Sequence, residues 1–136
     1  MALQACNEGI KYIGLFAYGT GTFTSMDLRL YTNNYTPVKT SAFASFTEPT
    51  NSEYAPIAFS ADDFAYALTG GKDLFTPPTK TFAFTSAVTV YGYFVTVLDY
   101  PNHFVMWAEL IAGGPIVFGS AGGNILVVAQ NEITSP

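Results

Sequence analysis

The chain has 136 residues, of which 49% are hydrophobic and only 11% are charged, and its formal net charge is −5. This length fits one domain that can bury its own core. The five cations form no basic stripe that could neutralise phosphates, which argues against nucleic-acid binding. No apolar run reaches the roughly 18 residues that span a bilayer, so we expect no membrane segment.

The first segment differs from the rest in its hydrophobic spacing. Ile10, Ile13 and Phe16 recur at three-residue intervals, Asn7 is a suitable N-cap, and Gly19 is a suitable stop. The spacing predicts a short helix over about residues 7–18. A strand is the alternative, because Tyr, Ile and Phe also favour pleated surfaces.

From residue 23 onward the hydrophobic period changes to two. Met26, Leu28 and Leu30 alternate with Asp27, Arg29 and Tyr31, which predicts a strand with one buried face. Residues 42–46 are predicted to be irregular or a brief edge strand. Further strands are predicted at residues 54–59, 64–68, 80–85, 88–97, 104–111, 116–118 and 124–130.

About seven or eight short strands at intervals of roughly 8 to 12 residues are typical of an all-β architecture. We therefore expect a mainly β fold, a single antiparallel β-sandwich or barrel of jelly-roll type, with one short N-terminal helix. Residues 99–102 are predicted to form a turn, and residues 134–136 a short frayed tail. The whole chain, residues 1–136, is expected to be one β-rich domain.

Reactive side chains are few and scattered. His103 is predicted to be a solvated turn residue, because no carboxylate, thiolate or second His is placed to converge on it. Asp62, Asp63 and Asp73 lack the alternating spacing of a calcium loop and are predicted to cap turns. The paired glycines lack the flanking strand and helix of nucleotide fingerprints. We expect no catalytic residue, no cofactor and no metal site.

An acid–base pair built from Glu109 with Glu53 or Asp99 is the alternative that would make the protein a glycosidase. Such an enzyme needs two carboxyl groups about 5 to 10 Å apart. Nothing in the spacing of these residues favours their convergence. An enzyme is therefore not predicted.

Lone Cys6 allows no internal disulfide. It also lies too near the start for a lipoprotein signal, which needs an apolar segment of about 7 to 15 residues ahead of the cleavage site. Neither a disulfide nor a lipid anchor is predicted.

The aromatic side chains are the candidates for a binding surface, because Tyr and Trp combine a large contact area with a low ordering cost. The candidate interface residues are Tyr91, Tyr93, Trp107, Tyr31 and Tyr35. If Tyr91 and Tyr93 share the outward face of their strand, they could contact a protein or stack on a sugar. The alternative is cross-strand aromatic packing within the fold.

Six short motifs follow one another along the chain after the predicted N-terminal helix: LRLYTNNYTP (28–37), SFTEP (45–49), YAPIAF (54–59), VYGYFVT (90–96), WAELIAGGP (107–115) and GNILVV (123–128). Their order resembles a family of small structural proteins of tailed-phage virions, the capsid decoration or cement proteins. The resemblance spans most of the chain, and residues 62–79 match least well. It implies a β-rich fold without catalytic residues or cofactors.

The resemblance also implies the partners and the location. They would be the major capsid protein or another virion protein, on the capsid exterior, after synthesis in the host cytoplasm. The low charge of the chain suits permanent apolar interfaces, so a homo-oligomer such as a trimer is expected. A tail, neck or fibre component is one alternative, and a carbohydrate-binding module for host attachment is the other.

Overall fold

The computed structural model describes residues 4–10, 25–59, 63–70, 72–99, 102–129 and 131–134. These residues are mainly β, with antiparallel pairing throughout, a helical turn at residues 7–10 and a 3-10 turn at Phe43–Ser45. The prediction of an antiparallel, mainly β chain with a short helix near the start is confirmed. Residues 11–18 of the predicted helix lie outside the described residues. The strands are β1 (Gln4–Ala5), β2 (Ser25–Tyr31), β3 (Ile57–Phe59), β4 (Ala65–Thr69), β5 (Lys72–Thr76), β6 (Lys80–Phe84), β7 (Val88–Val90), β8 (Gly92–Asp99), β9 (Asn102–Leu110), β10 (Ile116–Phe118), β11 (Gly123–Val127) and β12 (Asn131–Thr134).

The described strands are arranged in four sheets. The largest has five strands in the order β1-β9-β8-β2-β3, and a three-stranded sheet has the order β12-β5-β4. Two further sheets are the pairs β6–β11 and β7–β10. These strands close into no barrel, so that form of the predicted architecture is not found in the described part of the chain.

The five-stranded sheet is covered on both faces, whereas the alternation in β2 predicted one buried face. On one face, Leu28, Val95 and Trp107 belong to a core cluster that also contains Phe82 and Ile125 of the β6–β11 pair. On the other face a second cluster forms. It comprises Cys6, Tyr31, Phe46, Phe94, Val105 and Ala108. Burial of the second face is possible because Arg29 finds hydrogen-bond partners within it.

The chain changes sheets at Tyr91, and this divides the predicted strand 88–97. β7 pairs with β10, whereas β8 pairs with β2 and β9. At the crossover, the backbone N–H of Tyr91 donates to the Tyr31 carbonyl at 2.9 Å, and the Ile111 N–H donates to the Tyr91 carbonyl at 2.8 Å. Val88 and Val90 before the break and Phe94 and Val95 after it are all buried. The sequence pattern therefore shows no interruption at Tyr91.

The three-stranded sheet contains two strands that the sequence did not predict. β5 lies at its centre and β12 at one edge, although no strand was predicted over residues 72–76 and β12 lies beyond the last predicted strand. The sequence of β5, KDLFT, has charges beside its apolar pair and is followed by Pro77, which obscures the strand pattern. Partners distant in sequence stabilise it as a strand.

A bulge in β9 helps to anchor the N-terminal segment. Val95 lies opposite Trp107 and Thr96 opposite Val105, so Met106 is the extra residue. The Met106 carbonyl accepts the N–H of Cys6 at 3.1 Å, and the Val105 N–H donates to the Glu8 carboxylate at 3.0 Å. Residues 6–10 are therefore fixed against the second core cluster.

Candidate protein-interaction surface

Two of the predicted interface residues lie in the core. Tyr31 is fully buried, its ring is 5.1 Å from that of Phe46, and its hydroxyl donates to the Glu109 carbonyl at 3.3 Å. Burial, reinforced by the Glu109 charge, raises the pKa of Tyr31 well above its usual value. Trp107 is only 6% exposed and packs in the first core cluster. Neither side chain presents a face to a partner.

The remaining three predicted residues are half-buried and do not form one platform. The Tyr35 hydroxyl is 2.7 Å from the Ser41 hydroxyl, and its ring meets Phe46 edge-on. Tyr91 packs against the second core cluster, whereas Tyr93 packs against the first. The structure thus separates Tyr91 and Tyr93, and it contains the intramolecular aromatic packing that was the alternative interpretation.

Tyr93 instead lines a cavity, the Glu109 pocket, of about 240 Å³. Its walls come from β8, β9, β10 and β11, and its lining includes Tyr93, Glu109, Leu110, Ile111, Ile116 and residues 125–128. The Tyr93 hydroxyl donates a hydrogen bond to Oε2 of Glu109. Burial and this bond raise the pKa of Tyr93 well above its usual value, so it remains a neutral donor.

β11 explains how an apolar surface arises beside the pocket. Ile125 and Val127 point into the first core cluster, so the intervening Leu126 points outward and is 67% exposed. Val128 continues the outward face and is 45% exposed. Leu126 and Val128, which we term the rim, therefore present apolar surface next to the Glu109 pocket. A second exposed apolar pair, Tyr66 and Leu68, lies on β4.

Sequence reasoning missed the rim and the pocket. The run from Ile125 to Val128 is continuously apolar, so period-two alternation gave no sign that alternate members face outward. Glu109 was considered as one half of an acid–base pair with Glu53 or Asp99, which the spacing did not favour. Its partner is the hydroxyl of Tyr93 on the neighbouring strand.

His103 lies in β9, opposite Leu98, and the prediction that it is a solvated turn residue is wrong. Its ring stacks on Phe43 with the ring centroids 4.9 Å apart, so aromatic packing on the second face of the five-stranded sheet decides its position. Within the described chain, no three His, Cys, Asp or Glu residues gather as metal ligands.

Glu53 and Glu109 belong to separate networks. Glu109 bonds to Tyr93, whereas Oε1 of Glu53 accepts from the Thr85 N–H at 2.9 Å and from the Ser86 hydroxyl at 2.7 Å. Glu53 thereby fastens the loop before β3 to the turn after β6. The structure assigns this carboxylate a local structural role, and the side chain of Asp99 lies outside the described part.

The Glu53 clamp makes stability depend on pH. The Ser86 hydroxyl, followed by backbone N–H groups, lowers the pKa of Glu53 from 4.5 to about 2. Because the folded pKa lies below the unfolded value, the carboxylate stabilises the fold above pH 4.5, and this contribution is lost as the pH falls towards 2. We expect Glu53→Gln to lower the free energy of unfolding at neutral pH. Near pH 2, the variant and the wild type should differ little in this free energy.

Urea unfolding at a series of pH values measures this difference. Ser86→Ala, which removes the strongest donor to Glu53, should reduce the pH dependence in the same interval. An equal deficit of Glu53→Gln at every pH would show that the carboxylate charge is not responsible.

Cys6 should be chemically inert in the folded protein. It is fully buried, and burial, with a smaller effect of the Glu8 charge, raises the pKa of its thiol to about 11. Because the thiolate is the nucleophile, we expect no alkylation by iodoacetamide at mildly alkaline pH and rapid alkylation in urea. Mass spectrometry measures the outcome, and rapid labelling of the native protein would contradict the buried placement.

No helix in the described parts of the chain combines the length and apolar character needed to cross a bilayer. The pocket and the rim thus lie on a β-rich module. Besides the rim, the large apolar side chains exposed among the described residues include Tyr66 and Leu68 on β4, Val117 on β10, Ile10 and Val38. We found no match to this chain among protein-family models, curated proteins or solved structures.

Proposed function

We propose that the protein is a non-enzymatic structural protein of a tailed-phage virion that decorates the capsid and stabilises the head. The observation that carries a binding role is the rim, where Leu126 and Val128 expose apolar surface beside a cavity. Exposed apolar patches mark interaction sites. A chain with few charges has little charged surface to oppose association through such patches. The choice of a phage capsid as the assembly that is bound rests on the ordered motifs that resemble capsid decoration proteins.

The proposed architecture is a two-layer sandwich with jelly-roll-like connections. The first core cluster supports it, since it joins β2, β8 and β9 to β6, β7 and β11. In this arrangement one outer surface carries the rim, and the three-stranded sheet carries the Tyr66 and Leu68 pair.

A repeating capsid lattice is the proposed partner surface. Many copies bound to one particle need only moderate affinity each, because the particle is held by all of them together. The proposed oligomer is symmetric, a trimer among the expected forms, and the Tyr66 and Leu68 surface on β4 is the proposed contact between copies.

Cosedimentation with capsids that lack the protein tests this function, with light scattering to measure the mass of the free protein. We expect saturable binding at a fixed ratio to the capsid subunit. Failure of a monodisperse protein to bind capsids would contradict capsid decoration. Binding to isolated tails or to host glycans would favour the alternative locations.

Leu126→Asp should weaken capsid binding by about thirtyfold, because a charge would enter the centre of a desolvated interface. Thr50→Asp is the control, since Thr50 is exposed in a loop and does not line the Glu109 pocket. Saturation curves from the same cosedimentation measure both variants. Equal binding by wild type and both variants would place the docking surface elsewhere.

A further inference from the structure

Among the described residues, one oxygen of the Glu109 carboxylate has no hydrogen-bond donor. Oε2 accepts the hydrogen bond from Tyr93, whereas no described residue donates to Oε1. The ion pairs of the described side chains involve Arg29 and Lys80, and neither is with Glu109. The pocket therefore presents a negative charge that the described residues leave uncompensated.

The surroundings of this carboxylate are apolar. Leu110, Ile111, Ile116 and Val127 are among the side chains that line the same cavity. A carboxylate in such surroundings loses favourable hydration when the pocket is covered, and a bound cation restores the lost interaction. Covering by a neutral surface would leave that cost uncompensated. The negative charge of Glu109 thus favours a cationic group as the occupant of the pocket.

The volume of the pocket suits one side chain as the occupant. Cavities that hold drug-sized ligands measure roughly 300 to 1,000 Å³, and the Glu109 pocket measures about 240 Å³. A lysine side chain has an aliphatic stem that can pack against apolar walls and a compact ammonium at its end. Arginine fits less well, because it binds best to both oxygens of a carboxylate and Tyr93 already occupies one.

We propose that the Glu109 pocket is a socket for a lysine side chain of a partner protein, whose ammonium pairs with Oε1 of Glu109 while its stem contacts Ile111 and Ile116. The inference rests on the proposed function as a protein-binding module and adds the chemistry of the anchor. Leu126 and Val128 of the rim then exclude water from the ion pair once the partner covers them. A net charge of −5 further attracts a basic partner segment.

The test titrates the isotopically labelled protein with N-acetyl-lysine methylamide and follows the methyl signals of Ile111 and Ile116 by nuclear magnetic resonance. We expect saturable shifts with a Kd on the order of 1 mM, as one side chain can supply only a few kcal/mol. N-acetyl-norleucine methylamide, which keeps the stem and lacks the ammonium, should bind at least about tenfold more weakly. Equal binding of the two probes would overturn the proposal, and this comparison needs no variant.

Glu109→Gln keeps the shape of the side chain and an acceptor for Tyr93 but removes the charge. It should abolish the preference for the lysine probe, whereas Glu53→Gln, which removes a carboxylate outside the pocket, should preserve it. A preference that survives Glu109→Gln would overturn the proposal.

The same variants in capsid cosedimentation separate the socket from the function. If the wild type binds capsids and Glu109→Gln binds them at least about tenfold more weakly, the result supports both the lysine socket and capsid decoration. Equal binding of the two proteins overturns the socket and leaves capsid decoration standing. Absence of capsid binding with a retained lysine preference supports the socket and contradicts capsid decoration.

Discussion

Replacing Arg29 with Met should lower the free energy of unfolding by about 3 kcal/mol, because it removes the cation from a largely buried network. Arg29 donates to Thr96 at 3.0 Å, to Glu48 at 2.9 Å and to Asp27 at 3.2 Å. Its guanidinium also lies 5.4 Å from the centre of the Phe43 ring. Met preserves most of the stem volume, so the loss reports the unpaired carboxylates and the buried Thr96 hydroxyl.

The network also provides a hydrogen-bond acceptor for a backbone N–H of β2. Glu48 accepts from Arg29 through one oxygen and from the Tyr54 hydroxyl, at 2.6 Å, through the other, and that hydroxyl in turn accepts the Leu30 N–H at 3.1 Å. β3 pairs with β2 only as far as Leu28, so Tyr54 replaces a strand partner at Leu30. Loss of Arg29 is therefore expected to loosen this part of β2 as well.

Urea unfolding measures the effect, and Lys80→Met is the matched control. Lys80 pairs with Asp63 at 3.8 Å, and both side chains are partly exposed, so its removal should cost less than about 1 kcal/mol. Similar losses for the two variants would contradict the special role of the buried network.

Replacing Gly92 with Ala should destabilise the protein by a similar amount, about 3 kcal/mol, because an added methyl group has no space. A Cβ at this position would lie 2.1 Å from the Glu109 carbonyl oxygen and 2.3 Å from the Tyr31 hydroxyl. The carbonyl belongs to β9, which pairs with β8, so relief requires displacement of the backbone. The substitution should also disturb the hydrogen bond from Tyr31 to Glu109.

Thermal and urea unfolding of Gly92→Ala measure this cost, with Gly119→Ala as the control. A Cβ at Gly119 meets nothing within 4 Å, and the residue has no positive φ, so the control should be neutral or slightly stabilising. Tyr31→Phe in the Gly92→Ala background should not restore stability, because the clash with the Glu109 carbonyl remains. Full rescue would assign the strain to the hydroxyl instead.

Strand positions were largely predictable where local pattern and tertiary contacts agree. The alternation of Met26, Leu28 and Leu30 identified β2, and Phe82 and Phe84 identified β6, since these side chains face one core. β5 and β12 were missed, because they are held by pairing with strands distant in sequence and carry no comparable alternation.

The candidate site was much less predictable than the strands. Tyr31 and Trp107 were chosen for chemistry that suits interfaces, but burial depends on which elements cover each sheet face. Leu126 was overlooked because an exposed leucine in an apolar run has no local signature. The pairing of Tyr93 with Glu109 follows from the register of β8 on β9.

By itself, the sequence determined that this protein is β-rich and antiparallel, because alternation and turn residues act over a few neighbouring positions. Only the tertiary structure decided the crossover at Tyr91, the burial of Arg29 and the joining of Glu109, Tyr93 and β11 around one pocket. These features depend on strand register and sheet packing, which are set by contacts between residues far apart in the chain.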